Sequence, residues 1–112
     1  MILSFPSFAL ALRAAYDSPT PAQMEVEAAR CTTDRRTLDL LWRLKPSASS
    51  VLCIRTEAQL SQPEFSKRYG IPENTWCQWE WGRRKPPEYV VLLTAYAVYC
   101  DVITGALAPG EG

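Results

Sequence analysis

The side chains best equipped for chemistry lie close together between positions 73 and 78. Glu73, Asn74 and Gln78 carry carboxylate and amide groups, and the compact Cys77 lies among them. Such groups can pair with base edges when a helix presents them to the major groove of DNA. An acid at position 73 would also suit the first turn of a helix through the helix dipole, so both interpretations of Glu73 remain open.

A basic run follows directly. Arg83, Arg84 and Lys85 form the only run of three basic residues in the sequence. Phosphates are its natural partners, although short charge runs are often simply solvated. Glu80, which precedes the run, is expected to be structural and to pair with an arginine such as Arg68.

Two short helices joined at a glycine are predicted to position these groups. Ser61 can cap a helix that begins at Gln62, and Pro63 falls in its first turn, where the missing N–H is harmless. Gly70 permits the left-handed conformation that ends this helix. A second helix is predicted over residues 73–81.

The second helix carries three tryptophans. The spacing of Trp76 and Trp79 predicts that both pack inward, and Gly82 stops the helix. Trp81 should point away from that stripe, which leaves packing and a surface contact equally open.

The region from about residue 51 to residue 99 resembles the Cro/repressor-type (Xre-type) helix-turn-helix domain. The matching elements are Leu60, Ser61 and Gln62; Glu64 and Phe65; Gly70 and Ile71; and Trp79, Glu80, Trp81, Gly82 and Pro86. Pro72 departs from the pattern, because it occupies a cap position where Ser or Thr is usual. One capping hydrogen bond, typically worth ~1 kcal/mol, is therefore expected to be missing.

The resemblance implies an all-α fold, a lambda-repressor-like helix-turn-helix bundle with additional N-terminal helices. It also implies that Gln62 touches the DNA backbone and that Thr75 touches a phosphate or a thymine methyl group. The base contacts that it implies come from Glu73, Asn74, Cys77 and Gln78. The phosphate contacts come from Arg83, Arg84 and Lys85.

Three further helices are predicted ahead of the motif. Apolar spacing indicates one over residues 5–16, Thr20 can cap a second that runs to about Arg30, and Thr33 or Asp34 can cap a third that ends before Pro46. Residues 51–54 alone could form a short strand. Residues 46–50 read as a linker, which divides the chain into an N-terminal helical extension (1–48), a helix-turn-helix domain (49–101) and a flexible tail (102–112).

Composition limits the classes of function. The 112 residues are 47% hydrophobic and carry 12 basic and 12 acidic side chains, so the formal net charge is zero. A net charge of zero argues against a protein that coats DNA nonspecifically, but it permits a sequence-specific DNA-binding protein with local positive charge. The four cysteines lack a CxxC pair and there is no histidine, which excludes the usual Cys/His zinc sites and favours reduced thiols.

The expected function is that of a sequence-specific DNA-binding transcriptional regulator in the cytoplasm, with no membrane partner. The resemblance favours a dimeric repressor of a small phage, plasmid or toxin–antitoxin-type operon, bound to a palindromic operator. Residues 87–100, taken as a helix, are apolar on nearly every side, so the N-terminal helices or a partner chain must cover them. The alternative is a protein-interaction module, an antitoxin or anti-defence inhibitor, that binds a protein target through residues 1–48. No catalytic constellation is present, so neither an enzyme nor a cofactor is expected.

Overall fold

The computed structural model describes residues 2–45 and 51–107. Helix is the only regular secondary structure in these two segments, which confirms the all-α fold class. The predicted linker at residues 46–50 and the last five residues of the predicted tail lie outside the described part of the chain. The helices are α1 (Phe5–Asp17), α2 (Pro21–Ala28), α3 (Arg35–Leu44), α4 (Leu52–Ala58), α5 (Gln62–Tyr69), α6 (Glu73–Glu80) and α7 (Glu88–Thr104).

Side-chain caps set the starts of the N-terminal helices. The Thr20 hydroxyl accepts from the backbone N–H of Gln23 at 3.2 Å. The Gln23 amide does not return to the cap residue and donates to Glu27 one turn further along. Asp34 is the cap of α3, and its carboxylate accepts from the backbone N–H of Thr37 at 2.9 Å and from the hydroxyl of the same residue. These two bonds lower the pKa of Asp34.

Helix α4 replaces the short strand that residues 51–54 could have formed. It ends at Gln59, which has a φ of 57° and is the only non-glycine residue with positive φ in the described segments. The left-handed conformation costs an L-residue about 1–2 kcal/mol. Gln59 therefore holds a strained position that would suit glycine.

One core joins the N-terminal helices to the motif. Its buried side chains come from every helix and include Phe8, Leu41, Ile54, Trp76 and Val98. Helix α7 contacts α1, α3 and α4, so the N-terminal helices cover much of the apolar surface that the sequence gives it. Residues 2–45 thus pack directly against residues 51–107.

The chain segment before α1 is fixed to α7 by two hydrogen bonds. The Tyr96 hydroxyl donates to the carbonyl oxygen of Leu3 at 2.7 Å, and the backbone N–H of Leu3 donates to the Tyr99 hydroxyl at 2.9 Å. The ring of Phe8 packs against both tyrosine rings, with centroids 5.2 Å and 5.0 Å away.

Helix α7 is longer than expected and is not covered on every side. It continues past residue 101 to Thr104 and ends at Gly105, whose φ is 81°. Val102 and Ile103, assigned to the tail from sequence, pack against the core. Tyr89 and Leu93, one turn apart, are exposed.

Two kinds of feature are absent from residues 2–45 and 51–107. No cluster of three or more His, Cys, Asp or Glu side chains could hold a metal ion. None of the helices combines the length and the apolar character needed to cross a membrane.

Candidate nucleic-acid interface

Helix α5 begins with a complete capping box. The Ser61 hydroxyl accepts from the backbone N–H of Glu64 at 3.3 Å, while the Glu64 carboxylate accepts from the backbone N–H of Ser61 at 3.0 Å. The hydrogen bonds to Ser61 lower the pKa of Glu64. The helix ends at Gly70, whose φ of 71° confirms the predicted left-handed turn. This turn fixes the direction from which the chain enters α6.

Aromatic packing holds α6 against α5. Trp76 is buried, and its ring lies 4.5 Å from that of Phe65 and 5.9 Å from that of Trp79. The predicted inward orientation of Trp76 and Trp79 is confirmed. Pro72 offers no side-chain hydrogen bond to the start of α6, so tertiary packing rather than a cap stabilises this helix.

A nearly buried carboxylate joins α4, α5 and α6. The Glu80 side chain is 5% exposed and accepts two hydrogen bonds from the Arg55 guanidinium, at 2.6 Å and 3.0 Å. It also accepts from the Gln62 amide at 3.1 Å and from the Trp76 indole N–H. Burial opposes ionisation, but these hydrogen bonds outweigh it and keep the pKa of Glu80 below its usual value. Glu80 therefore fixes the end of α6 relative to the start of α5.

The structural role expected of Glu80 is present, but the partner named from sequence was wrong. Arg68 lies on α5 and pairs with Asp101 of α7 at 3.0 Å, and the Tyr69 hydroxyl donates to the same carboxylate at 2.8 Å. The correct partner, Arg55, lies on α4. The sequence carried one signal for it, a lone arginine one turn before the end of a short helix.

Gln62 has a partner within the protein that the sequence did not indicate. Its side chain is half-buried and its amide donates to Glu80, while the contact with the DNA backbone that the resemblance implies stays a prediction. This places Gln62 within the contact between α5 and α6.

The outward face of α6 carries most, but not all, of the expected base-contacting residues. Glu73 and Asn74 are exposed, and Thr75 and Gln78 are partly exposed. Cys77 is only 6% exposed, so the expectation that it faces outward was wrong. It lies about 60° around the helix from Glu80, at the edge of the arc that packs inward. Burial, together with Glu73 and Glu80, raises the pKa of its thiol.

The predicted basic run lies beside this face. Gly82 turns the chain at a φ of 73°, and the backbone N–H groups of Arg83 and Arg84 donate to the Gln78 carbonyl oxygen at 2.9 Å and 3.4 Å. The loop thus folds back onto the last turn of α6, with the side chains of Arg83, Arg84 and Lys85 exposed. Cations and amides together form a surface that can contact both phosphates and base edges.

Trp81 is part of the same surface, a role that sequence reasoning left undecided. It is 60% exposed, and the Arg83 guanidinium lies 5.1 Å from the centre of its ring. The spacing of Asn74, Gln78 and Trp81 at i, i+4 and i+7 was the signal that could have placed it on the outward stripe.

Comparison of the chain with protein-family models, with curated proteins and with solved structures found no match. The interpretation of the surface on α6 accordingly depends on its own residues and geometry.

Proposed function

We propose that this chain is a sequence-specific, double-stranded-DNA-binding transcriptional regulator that reads DNA with α6. The observation that carries the proposal is the outward stripe formed by Asn74, which is exposed, and Gln78, which is partly exposed. This stripe lies beside the exposed basic run, on a helix whose orientation is fixed by Glu80. A rigid polar helix next to clustered cations has the two parts that a reader of duplex DNA requires.

In this proposal the two sets of side chains have separate tasks. The Asn74 and Gln78 amides donate to and accept from adenine in the major groove, where a good bidentate pair contributes about 1–3 kcal/mol of discrimination. Glu73 accepts from a cytosine amino group, and Thr75 contacts a phosphate or a thymine methyl group. Arg83, Arg84 and Lys85 bind phosphates and set the position of the helix without reading sequence.

A lambda-repressor-like arrangement and a homodimer complete the proposal. Tyr89 and Leu93 form an exposed apolar stripe on α7, which a second copy could cover. A twofold dimer that places its α6 helices ~34 Å apart would match successive major grooves of a palindromic operator. Binding there would repress a small operon of the phage, plasmid or toxin–antitoxin type. The proposed site of action is the cytoplasm, and neither catalysis nor a cofactor is involved.

The test is a selection of bound duplexes from a randomised pool, followed by gel-shift titrations with an enriched duplex and an unrelated duplex. If each protomer uses three cations, log affinity should fall with a slope of roughly −5 against log salt, about a thousandfold loss for a fourfold rise in salt. The double variant Asn74→Ala, Gln78→Ala should lose the preference for the enriched duplex. Gln23→Ala, an amide removed from α2, should keep it. Absence of any enriched sequence would contradict the proposal.

A second candidate, a protein-interaction module, is favoured by a separate observation on α1 and α2. Leu10 and Val26 are exposed, and Leu10 lines an open cleft of about 720 Å³ between these helices, with Arg13 and Arg30 among its other walls. If the selection enriches no sequence, a protein target for residues 1–48 becomes the leading function. Leu10→Ser and Val26→Ser should then weaken binding to that target.

A further inference from the structure

Trp81 is unusual among the tryptophans of this chain. Trp76 is buried, and Trp42 and Trp79 are partly buried against the core, whereas Trp81 is 60% exposed. Tryptophan is enriched at interfaces, because its large apolar ring gains from being covered while its N–H can still find a partner.

Backbone hydrogen bonds fix the main chain on both sides of Trp81. The Trp81 N–H donates to the Cys77 carbonyl oxygen at 2.9 Å and completes the last turn of α6. The Arg83 N–H donates to the Gln78 carbonyl oxygen at 2.9 Å, which folds the loop back so that the guanidinium of Arg83 approaches the indole. Ring and cation therefore form one unit at the C-terminal end of the stripe that contains Asn74 and Gln78.

We infer that Trp81 and Arg83 together contact the sugar–phosphate backbone at the edge of the major groove. This inference rests on the proposed function. Helix α6 has 8 residues and is therefore about 12 Å long, close to the ~12 Å width of the groove. When the N-terminal residues of such a helix read bases, its C-terminal end reaches the strand that borders the groove.

The two side chains have distinct tasks in this contact. The indole packs against a deoxyribose, and Arg83 donates to the adjacent phosphate. Contact between the ring and the guanidinium orients Arg83 before DNA arrives, so less side-chain freedom is lost on binding. Trp81 is thus a positioning residue for Arg83 as well as a contact residue. Its contribution should be the same for every DNA sequence.

The experiment is a double-mutant cycle with Trp81→Leu and Arg83→Gln, measured on the enriched duplex and on the unrelated duplex at several salt concentrations. Trp81→Leu should lower the DNA affinity of a dimer roughly tenfold for both duplexes, so that the ratio of the two affinities is unchanged. Arg83→Gln should lower the salt slope by about 2 per dimer. In the Arg83→Gln background, Trp81→Leu should cost distinctly less than it does in the wild-type protein.

Four controls separate this contact from a structural role. Trp81→Phe retains an aromatic ring and should recover most of the affinity, and Tyr16→Leu, an exposed aromatic residue on α1, should leave it unchanged. Acrylamide quenching of the wild-type protein, compared with Trp81→Phe, should show that DNA shields the Trp81 indole. Thermal melts of Trp81→Leu should overlay those of the wild-type protein, because the indole is exposed.

The inference would be overturned if the losses of DNA affinity caused by the two substitutions were simply additive, or if Trp81→Leu bound DNA as tightly as the wild-type protein. If Asn74→Ala, Gln78→Ala loses sequence preference while Trp81→Leu binds normally, the inference alone fails. If the wild-type protein selects no sequence, the proposed function fails and this inference fails with it.

Discussion

Replacement of Glu80 by Gln tests whether one carboxylate fixes α6. The substitution conserves size but removes the charge, leaving the Arg55 guanidinium, whose side chain is 21% exposed, without its anion. Breaking a buried ion pair by removing one partner typically costs about 3–5 kcal/mol, and partial solvation of Arg55 reduces this to roughly 2–3 kcal/mol. The amide NH₂ would also face the Trp76 and Gln62 donors, an unfavourable arrangement.

The measurement is the free energy of unfolding in urea, supported by thermal melts. A loss of about 2–3 kcal/mol in a domain of this size should lower Tm by roughly 10 °C. The matched control is Glu88→Gln, which breaks an exposed pair with Arg13 and should cost at most about 0.5 kcal/mol.

The cycle with Arg55→Gln sharpens this prediction. The double variant Arg55→Gln, Glu80→Gln should be destabilised by less than the sum of the single variants, because neither partner remains as an uncompensated charge. If Glu80→Gln costs no more than Glu88→Gln, the account of α6 as a helix fixed by Glu80 is refuted.

Three further predictions concern pH, backbone strain and self-association. The pKa of folded Glu80 lies below its ordinary value of 4.5, so its contribution to stability should be complete above that pH and disappear as pH falls through the folded pKa. The stability difference between wild type and Glu80→Gln in urea should therefore narrow on acidification, and a difference that grows would contradict this. Gln59→Gly should stabilise the protein by about 0.5–1 kcal/mol, and Gly70→Ala should destabilise it by about 1 kcal/mol, because both positions have left-handed backbone. Chemical denaturation measures both changes in the free energy of unfolding. Changes of the same sign would contradict the role given to backbone strain. Leu93→Ser should weaken dimerisation at least tenfold in sedimentation equilibrium while Lys67→Ser leaves it unchanged, and equal dimerisation of both variants would place the interface elsewhere.

The helices could be predicted from sequence because local signals determine them. Ser61 and Gly70 set the bounds of α5 through bonds and backbone angles that involve only neighbouring residues. Apolar spacing placed Trp76 and Trp79 inward for the same reason, since a helix has a fixed period. The all-α class and the positions of α1, α2, α3, α5 and α6 followed from features of this kind.

The partners of the site residues were less predictable because they depend on distant parts of the chain. Glu80 pairs with Arg55, 25 positions away, and nothing near Glu80 distinguishes this arginine from Arg68. Cys77 appeared outward on a helical wheel but lies at the edge of a buried arc, whose width depends on how α5 and α4 pack. The end of α7 was predicted too early. Gly105 begins the glycine- and proline-containing end of the sequence, and the whole segment from residue 102 was therefore assigned to the tail.

The two hydrogen bonds and the aromatic contacts between the start of the chain and α7 affect how the protein emerges during synthesis. Phe8 leaves the ribosome before Tyr96 and Tyr99, with almost the whole helical domain still to be made between them. At ~5–20 residues per second, the apolar face of α1 waits on the order of 4–18 s for the helix that completes its cover. Throughout that interval the part of α1 that packs on α7, including the ring of Phe8, lacks this cover, although α2 and α3, which also pack against α1, are made earlier. Apolar surface exposed at this stage of synthesis favours aggregation.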